Sequence, residues 1–547
     1  MRYLIYNGRI VDGTGRAAFA GSVLTEEERI CAIFREKDSA QAVEKLKEDP
    51  SVTLVDAEGG YITPGFIDIH RHGDWQALEN GDDELLNRQG ITSVINGNCG
   101  LSAAPQAGAH AQETDHFLRS IIGSMPDTFS PEEDPSASME AYLSCLRRVK
   151  RSVHTGMLVG GGTVRAGVAG YGGAAPDEAQ EKEIRNRIER SLEAGALGVS
   201  LGMGYAPEFA YDEAGLERVL GVLRGTRIPV TAHIRTEGDG CVEAVLEMIR
   251  VCKRLGVPLH LSHMKCIGKR NWRTACRQEL EMIRRAREDG MEISLDTYPY
   301  VTGATQLVHL IPPRFQSGGT KALLCALQDP DMRRQITREL QIPSGEYDNI
   351  VELAGFENIA ATSLQTEEFA PFEGMSIAAA ADARGQDPYE TLYDLLLAER
   401  CEPAMLDTYG CEEDLTDFLK DEACSLISDS IYPERGRRHP RVYDSFVRFL
   451  TRYVREKGVF TIEEAVRKMT SVPAAVFHLD KGVLEEGKCA DICVFHLENL
   501  QSHATFADPE RLCTGMDAVF TGGRLCVLKD EWLGAEGGRV LSQKTAG

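Results

Sequence analysis

The residues able to do chemistry in this chain gather at the ends of short apolar runs. One run closes as GFIDIHRHGD, with His70 and His72 two positions apart. Residues i and i+2 of an extended strand share a face, so both imidazoles can reach one point in space. His233 closes the run VTAH, and His263 follows PLHLS. Imidazole is a common ligand for zinc, and four histidines at the ends of three runs point to a metal centre rather than to solvated loops. Asp429, in SLISDS, ends a further run. A metal site that activates water needs a base for the water's proton and an acid for the leaving amine, and one carboxylate can serve both steps. The same aspartate could instead cap a following helix. Cys99, in INGNCGLS, also follows an apolar run. A thiolate binds zinc well, yet on its local sequence Cys99 reads first as a small buried residue. His260 has the opposite side-chain parity to His263 and is expected in the core, not at a metal.

Such residues need a scaffold that brings distant strand ends together. Eight short apolar runs read as strands: 62–70, 92–97, 155–160, 196–201, 230–234, 259–263, 292–298 and 424–429. Helical patterns separate most of them, for instance at 177–194, 240–255 and 273–289. Alternation of this kind predicts an α/β protein, a (β/α)8 TIM-like barrel in preference to an open doubly wound sheet, with its site at the C-terminal ends of the strands. The stretch between 298 and 424 is too long for one connection and predicts an insertion, around 301–422, that lies over the site. Short β patterns fill both ends of the chain, at 3–6, 9–11, 29–34 and 52–55, then at 490–496, 518–521 and 524–528. They predict a small β domain built from both termini. The expected division is 1–60 for its first part, 61–480 for the barrel with its insertion, and 481–547 for its second part.

Composition narrows the class. At 547 residues the chain exceeds what one hydrophobic core usually holds. A formal charge of −24 argues against nucleic-acid binding, which relies on basic surface. No run is long and apolar enough to predict a membrane span. Fifteen cysteines without regular spacing read as reduced thiols, and the opening MRYLIYNGRIVDGTG reads as a strand and turn rather than an export signal. A cytoplasmic enzyme acting on a small molecule is expected.

The stretches LIYNGRIVDGTG, ITPGFIDIHRHGD, NGNCG, HIRTEG, SHMKC, DTYPY, HPRVY, EEAVRKMTSVPAAVFHL and KGVLEEGKCADICVF together resemble the D-aminoacylases (N-acyl-D-amino-acid deacylases), a branch of the metal-dependent amidohydrolase superfamily. The resemblance covers nearly the whole chain. Many members of the superfamily bridge two metals with a carboxylated lysine on the fourth strand. Here that strand, GALGVSLGMGY, has none, which argues against a cyclic-amide hydrolase of the dihydroorotase or hydantoinase type, or a dipeptidase-like relative. The presence of His70, His72, Cys99, His233, His263 and Asp429 together argues against an inactive barrel used as a binding module. The resemblance implies one tightly held zinc on Cys99, His233 and His263, and a second, weaker position at His70 and His72. It implies Asp429 as proton shuttle, and Lys265, Tyr298, Arg441 and Tyr205 as contacts to an N-acyl amino acid, with the first three gripping its α-carboxylate. Two departures stand out. Ser430 follows Asp429 where the family commonly has glycine, and Ala304 stands where it often places a serine of the carboxylate grip.

Overall fold

The computed structural model describes residues 1–79, 81–129 and 134–542, with only the backbone described for 36–39. It is a mixed α/β structure with four sheets. The eight runs expected as strands form parallel strands in two of these. One sheet joins Phe66–Asp68, Ile91–Asn96 and His154–Met157. The other joins, in order, Val159–Gly160, Val199–Gly202, Val230–His233, Leu259–Leu261, Ile293–Thr297 and Cys424–Leu426. Only Leu158 separates His154–Met157 from Val159–Gly160, so the two sheets share one run of chain. At the other edge Arg71 pairs in parallel with Ser430. There the His72 amide donates to the Ser430 carbonyl at 2.8 Å and the Asp429 amide to the His70 carbonyl at 2.9 Å. Most of these strands are buried at every position. Coverage of both faces explains why they read as continuous apolar runs rather than alternating ones.

The helices between them are amphipathic. Glu178–Ala194 opens with a capping box, the Asp177 carboxylate accepting from the Gln180 amide while the Gln180 side chain accepts from the Asp177 amide. Cys241–Leu255 ends on Gly256 in the left-handed conformation, the usual C-terminal stop. Their apolar faces pack against the strands in the largest core cluster.

Strands from both chain ends share one nine-stranded sheet. Ile492–Phe495 runs antiparallel to Tyr61–Pro64, with Val494 opposite Ile62, and thereby joins the C-terminal strands to the N-terminal ones. The run 62–70 is therefore not one strand. Tyr61–Pro64 belongs to the terminal sheet, and Phe66–Asp68 belongs to the parallel strands. Gly65 is the switch point. A Cβ there would stand 2.3 Å from Thr92 Oγ1, so the chain can pass between the sheets only without a side chain. The runs 3–6 and 9–11 are likewise one strand, Arg2–Ile10, interrupted by a bulge between Ile5 and Gly8.

The segment between 301 and 422 has its own core and a three-stranded antiparallel sheet. Ala404–Thr408 is the central strand, between Thr302–Gln306 and Ile359–Thr362. This sheet carries Ala304, Thr305 and Asp407 to the mouth formed by the parallel strands.

Candidate metal centre and active site

The five candidate ligands and Asp429 sit at or just past the C-terminal ends of parallel strands, whereas Arg441 opens the helix Arg441–Arg448. His233 is the last residue of Val230–His233, and His70, His263, Cys99 and Asp429 follow their strands by two or three residues. Three of these, Cys99 (φ 53°), His263 (φ 36°) and Asp429 (φ 50°), occupy the left-handed region, which is uncommon for residues other than glycine. Strain of this kind persists where the surroundings hold it, and it concentrates at functional sites. Here Asp429 is held by its amide bond to the His70 carbonyl, and the His263 amide donates to Asp296 Oδ1. No helix begins at Asp429, the next being Arg441–Arg448, so the helix-cap reading of this residue falls away.

The donor atoms converge. Cys99 Sγ lies 3.3 Å from His70 Nε2 and 3.3 Å from His263 Nε2. His233 Nδ1 lies 2.9 Å from His263 Nε2. His70 Nε2 and His72 Nε2 are 3.4 Å and 3.5 Å from Asp429 Oδ1. Ligands bound to one tetrahedral zinc stand roughly 3.5 Å apart, given zinc–nitrogen and zinc–sulfur bonds of ~2.0–2.3 Å. His233 Nε2 and His72 Nδ1 are buried without a hydrogen-bond partner. Such atoms are costly to leave unsatisfied, and a thiol, imidazoles and a carboxylate at this spacing suit a zinc ion. Of the five side chains expected at the metal, Cys99 touches both His70 and His263, while His233 enters the cluster through His263.

The surroundings bias this cluster toward its charged forms. Burial opposes ionisation of Cys99, but the charges of His70 and His263 outweigh it and hold the thiol well below its ordinary range. Burial likewise disfavours a carboxylate at Asp429. Arg441, with Nη1 2.9 Å from Asp429 Oδ2, reverses that, helped by His72, and keeps Asp429 ionised.

Residues outside the sequence reading complete the arrangement. Asp296 lies between His70 Nδ1 (3.3 Å) and His260 Nε2 (2.7 Å), and His260 Nδ1 faces Ser294 Oγ at 2.8 Å. The core position expected for His260 is observed, and from there it orients Asp296 against a metal-facing imidazole, a common support for such histidines. Glu237 Oε1 is 2.9 Å from His263 Nδ1 and accepts from Lys265 Nζ at 2.6 Å. Both acids lie in stretches already quoted, DTYPY and HIRTEG, and a carboxylate just past or within a strand end was the available signal.

A cavity enclosing about 520 Å³, part of it open to solvent, adjoins the cluster. His72, Cys99, His233, His263 and Asp429 reach its wall, as do Tyr205, Lys265 and Tyr298. Tyr205 Oη is 2.8 Å from Thr305 Oγ1, and Tyr298 Oη bonds Tyr409 Oη. Arg441 is placed differently from the expected open fork. It is buried, its guanidinium packs over the Tyr298 ring at 4.7 Å, Nη1 forms an ion pair with Asp429, and Nη2 donates to the Ala304 carbonyl at 3.2 Å. The Ala304 backbone thus meets Arg441 where a serine hydroxyl was missed. Ser430 Oγ, at the other departure, pairs with Ser428 Oγ at 2.7 Å.

Comparison with known proteins agrees with this geometry. Residues 53–305 and 350–527 match the model of the amidohydrolase family. The N-acyl-D-glutamate deacylase of Alcaligenes xylosoxydans xylosoxydans is 30% identical over 95% of this chain and 92% of its own length. The D-aminoacylase of the same organism is 29% identical over 99% and 98%. A crystal structure of N-acyl-D-glutamate deacylase from Bordetella bronchiseptica, complexed with zinc and a phosphonate that mimics the tetrahedral intermediate, superposes with a TM-score of 0.80 at 30% identity over 99% of both chains. With the donor cluster, the adjacent Asp429 carboxylate and kinship over the full length in agreement, the chain belongs to the amidohydrolase family, on its D-aminoacylase branch.

Proposed function

We propose that this chain is a zinc-dependent deacylase that hydrolyses the amide bond of N-acyl-D-amino acids, releasing a carboxylic acid and a free D-amino acid. The observation that carries the reading is the contact of Cys99 with both His70 and His263, beside the Asp429 carboxylate, in a cavity that also presents Lys265 and Tyr298. Cys99, His233 and His263 would hold the tight zinc, with His70 and His72 at a second, weaker position. When bound, zinc supplies Lewis-acid polarisation of the acyl carbonyl and acidifies water.

The chain's own residues do the rest. Asp429, kept ionised by Arg441, takes a proton from water as its oxygen attacks the acyl carbon, then returns it to the departing nitrogen as the C–N bond breaks. Asp296 and Glu237 fix the orientation of His70 and His263. Lys265 and Tyr298 offer donors to the substrate α-carboxylate, Arg441 supports them from behind Tyr298, and Tyr205 closes the opposite wall. The D preference rests on kinship with the deacylases.

In this reading the eight parallel strands form one closed barrel spanning 61–480, supported by the continuity across Leu158 and the Arg71–Ser430 pairing. The nine-stranded sheet drawn from both chain ends packs beside it. A cytoplasmic setting belongs to this reading, and buried free thiols such as Cys252, Cys276 and Cys424 support a reducing environment. Among the described residues, no helix is long and apolar enough to cross a membrane. The test is a hydrolysis screen of N-acetyl-D- and N-acetyl-L-amino acids on zinc-loaded protein. Release of free D-amino acid is expected, and turnover confined to L substrates or to cyclic amides would reject the assignment.

A further inference from the structure

The cavity's charge inventory points to a side-chain preference. Four carboxylates reach its wall, Glu237, Asp348, Asp407 and Asp429, against one ammonium, Lys265. Three of the four are engaged. Glu237 is paired with Lys265 and Asp429 with Arg441. Asp348 accepts from Thr236 Oγ1 and from the Glu237 and Gly238 amides, each at 2.7–2.8 Å. Among the described residues Asp407 alone of the four has no hydrogen bond or ion pair to another residue, only its own backbone amide facing the carboxyl group. Its position is fixed all the same. It sits on the central strand of the three-stranded sheet opposite Gly303, and a Cβ on Gly303 would stand 2.9 Å from Asp407 Oδ1 and 2.6 Å from Tyr409 Oη. The glycine therefore leaves room for the carboxyl group at the cavity wall.

Resting on the deacylase reading above, we propose that Asp407 is the specificity residue of this site, selecting N-acyl-D-amino acids whose side chain carries an amino or guanidino group and disfavouring acidic side chains. A buried carboxyl group without a cation of its own is costly to ionise, and a cationic side chain would supply that counter-charge. The groups facing Asp407 leave it the unmatched one. Lys265 and Arg441 stabilise its charge, but each is already shared with another carboxylate, and Glu237 opposes it. Burial is the larger influence and raises its pKa to about 7, as for a carboxyl group awaiting a cation. A substrate with a second carboxylate would need a second free cation. Among the described residues Lys265 is the only lysine or arginine on the wall, and burial lowers His309 to about 4, leaving it neutral. On this ground the chain departs in substrate from its relative named for N-acyl-D-glutamate.

The test compares kcat/KM of zinc-loaded protein on N-acetyl-D-lysine, N-acetyl-D-methionine and N-acetyl-D-glutamate, for wild type, Asp407→Asn and Asp407→Ala. Wild type should favour the lysine over the glutamate substrate by at least ~10-fold, the lower range for a charged hydrogen bond. Both variants should lose ~10-fold or more on the lysine substrate, stay within ~3-fold on methionine, and gain or hold on glutamate. Retained methionine turnover also shows that the variants fold. Competitive inhibition by free D-lysine, weakened in both variants, gives the same answer without turnover. Equal losses on all three substrates, or glutamate preferred by wild type, would overturn the proposal and leave the deacylase reading standing. No turnover of any of the three would remove both.

Discussion

In the proposed mechanism Asp429 has to stay ionised to accept a proton while buried against two imidazoles, and Arg441 at 2.9 Å favours its charged form. In the proposed mechanism Asp429→Asn keeps the shape and loses the base, so turnover should fall by ~10²-fold or more while the circular dichroism spectrum is unchanged. Near-wild-type turnover in a folded variant would reject the role. Cys99 carries a different prediction, because it touches His70 and His263 together. Cys99→Ala should lower zinc content, read by elemental analysis, and activity in parallel. Full zinc retention would exclude Cys99 as a ligand. Arg441→Lys keeps a charge near Asp429 but loses the planar fork that also meets the Ala304 carbonyl. Its kcat/KM should drop further on N-acyl amino acids than on N-acyl amines that lack the carboxylate, and equal losses on both would make Arg441 a support for Asp429 alone.

At the scale of elements, the informative places are where one strand hands over to another. Gly65 separates the terminal sheet from the parallel strands within a single extended run. A Cβ there meets Thr92 Oγ1 at 2.3 Å and Cγ2 at 2.5 Å. Gly65→Ala should destabilise by ~1–3 kcal/mol, the usual cost of overpacking. Adding Thr92→Ala should recover part of that loss, so the pair is non-additive in urea denaturation. Asp491 ties the two sheets from the other side. It bonds His154 Nε2 at 3.0 Å, Lys481 Nζ at 2.7 Å and the Gly522 amide at 2.8 Å. Burial opposes its charge, yet Lys481 and His154 hold its carboxyl group well below the ordinary range. A depressed folded-state value means that the stabilisation is complete above the unfolded carboxylate range, near pH ~4, and is lost as pH falls below it. Asp491→Ala should cost ~3–5 kcal/mol at neutral pH, the scale for breaking a buried pair. Its gap to wild type should narrow in denaturation measured below pH ~4, and a gap independent of pH would argue against the ion pair.

For the whole molecule, the order of the chain matters more than the count of its layers. Strand Ile492–Phe495 is paired to Tyr61–Pro64 on one side and to Met516–Thr521 on the other. Removing the chain after residue 480 would strip Tyr61–Pro64 of one of its two partners, leaving it paired only to Arg2–Ile10, expose the apolar face around Ile62, and delete Asp491. In the proposed division the barrel of 61–480 is then not independent. The truncated chain should be recovered only in the insoluble fraction, whereas a soluble, zinc-binding 1–480 would show that the terminal sheet is dispensable.

The sequence by itself determined the alternation of strands and helices, because strands covered on both faces are written as unbroken apolar runs. It also determined the positions of His70, His72, His233, His263 and Asp429 at strand ends, because such ends are where an apolar run meets isolated polar residues. The same local logic left Cys99 ambiguous, since a buried thiol and a ligand thiol have the same neighbours in sequence. Tertiary structure decided what depends on distance between remote residues. The run 62–70 divides because Thr92, a residue of the neighbouring strand, crowds Gly65. Asp296 and Glu237 become supports only when His70 and His263 are brought against them. Arg441, 137 positions from Ala304, turns inward to Asp429 rather than opening to the cavity. Asp407 stands at the cavity because a separate sheet folds over the strand ends, and no periodicity or spacing in the chain encodes that approach.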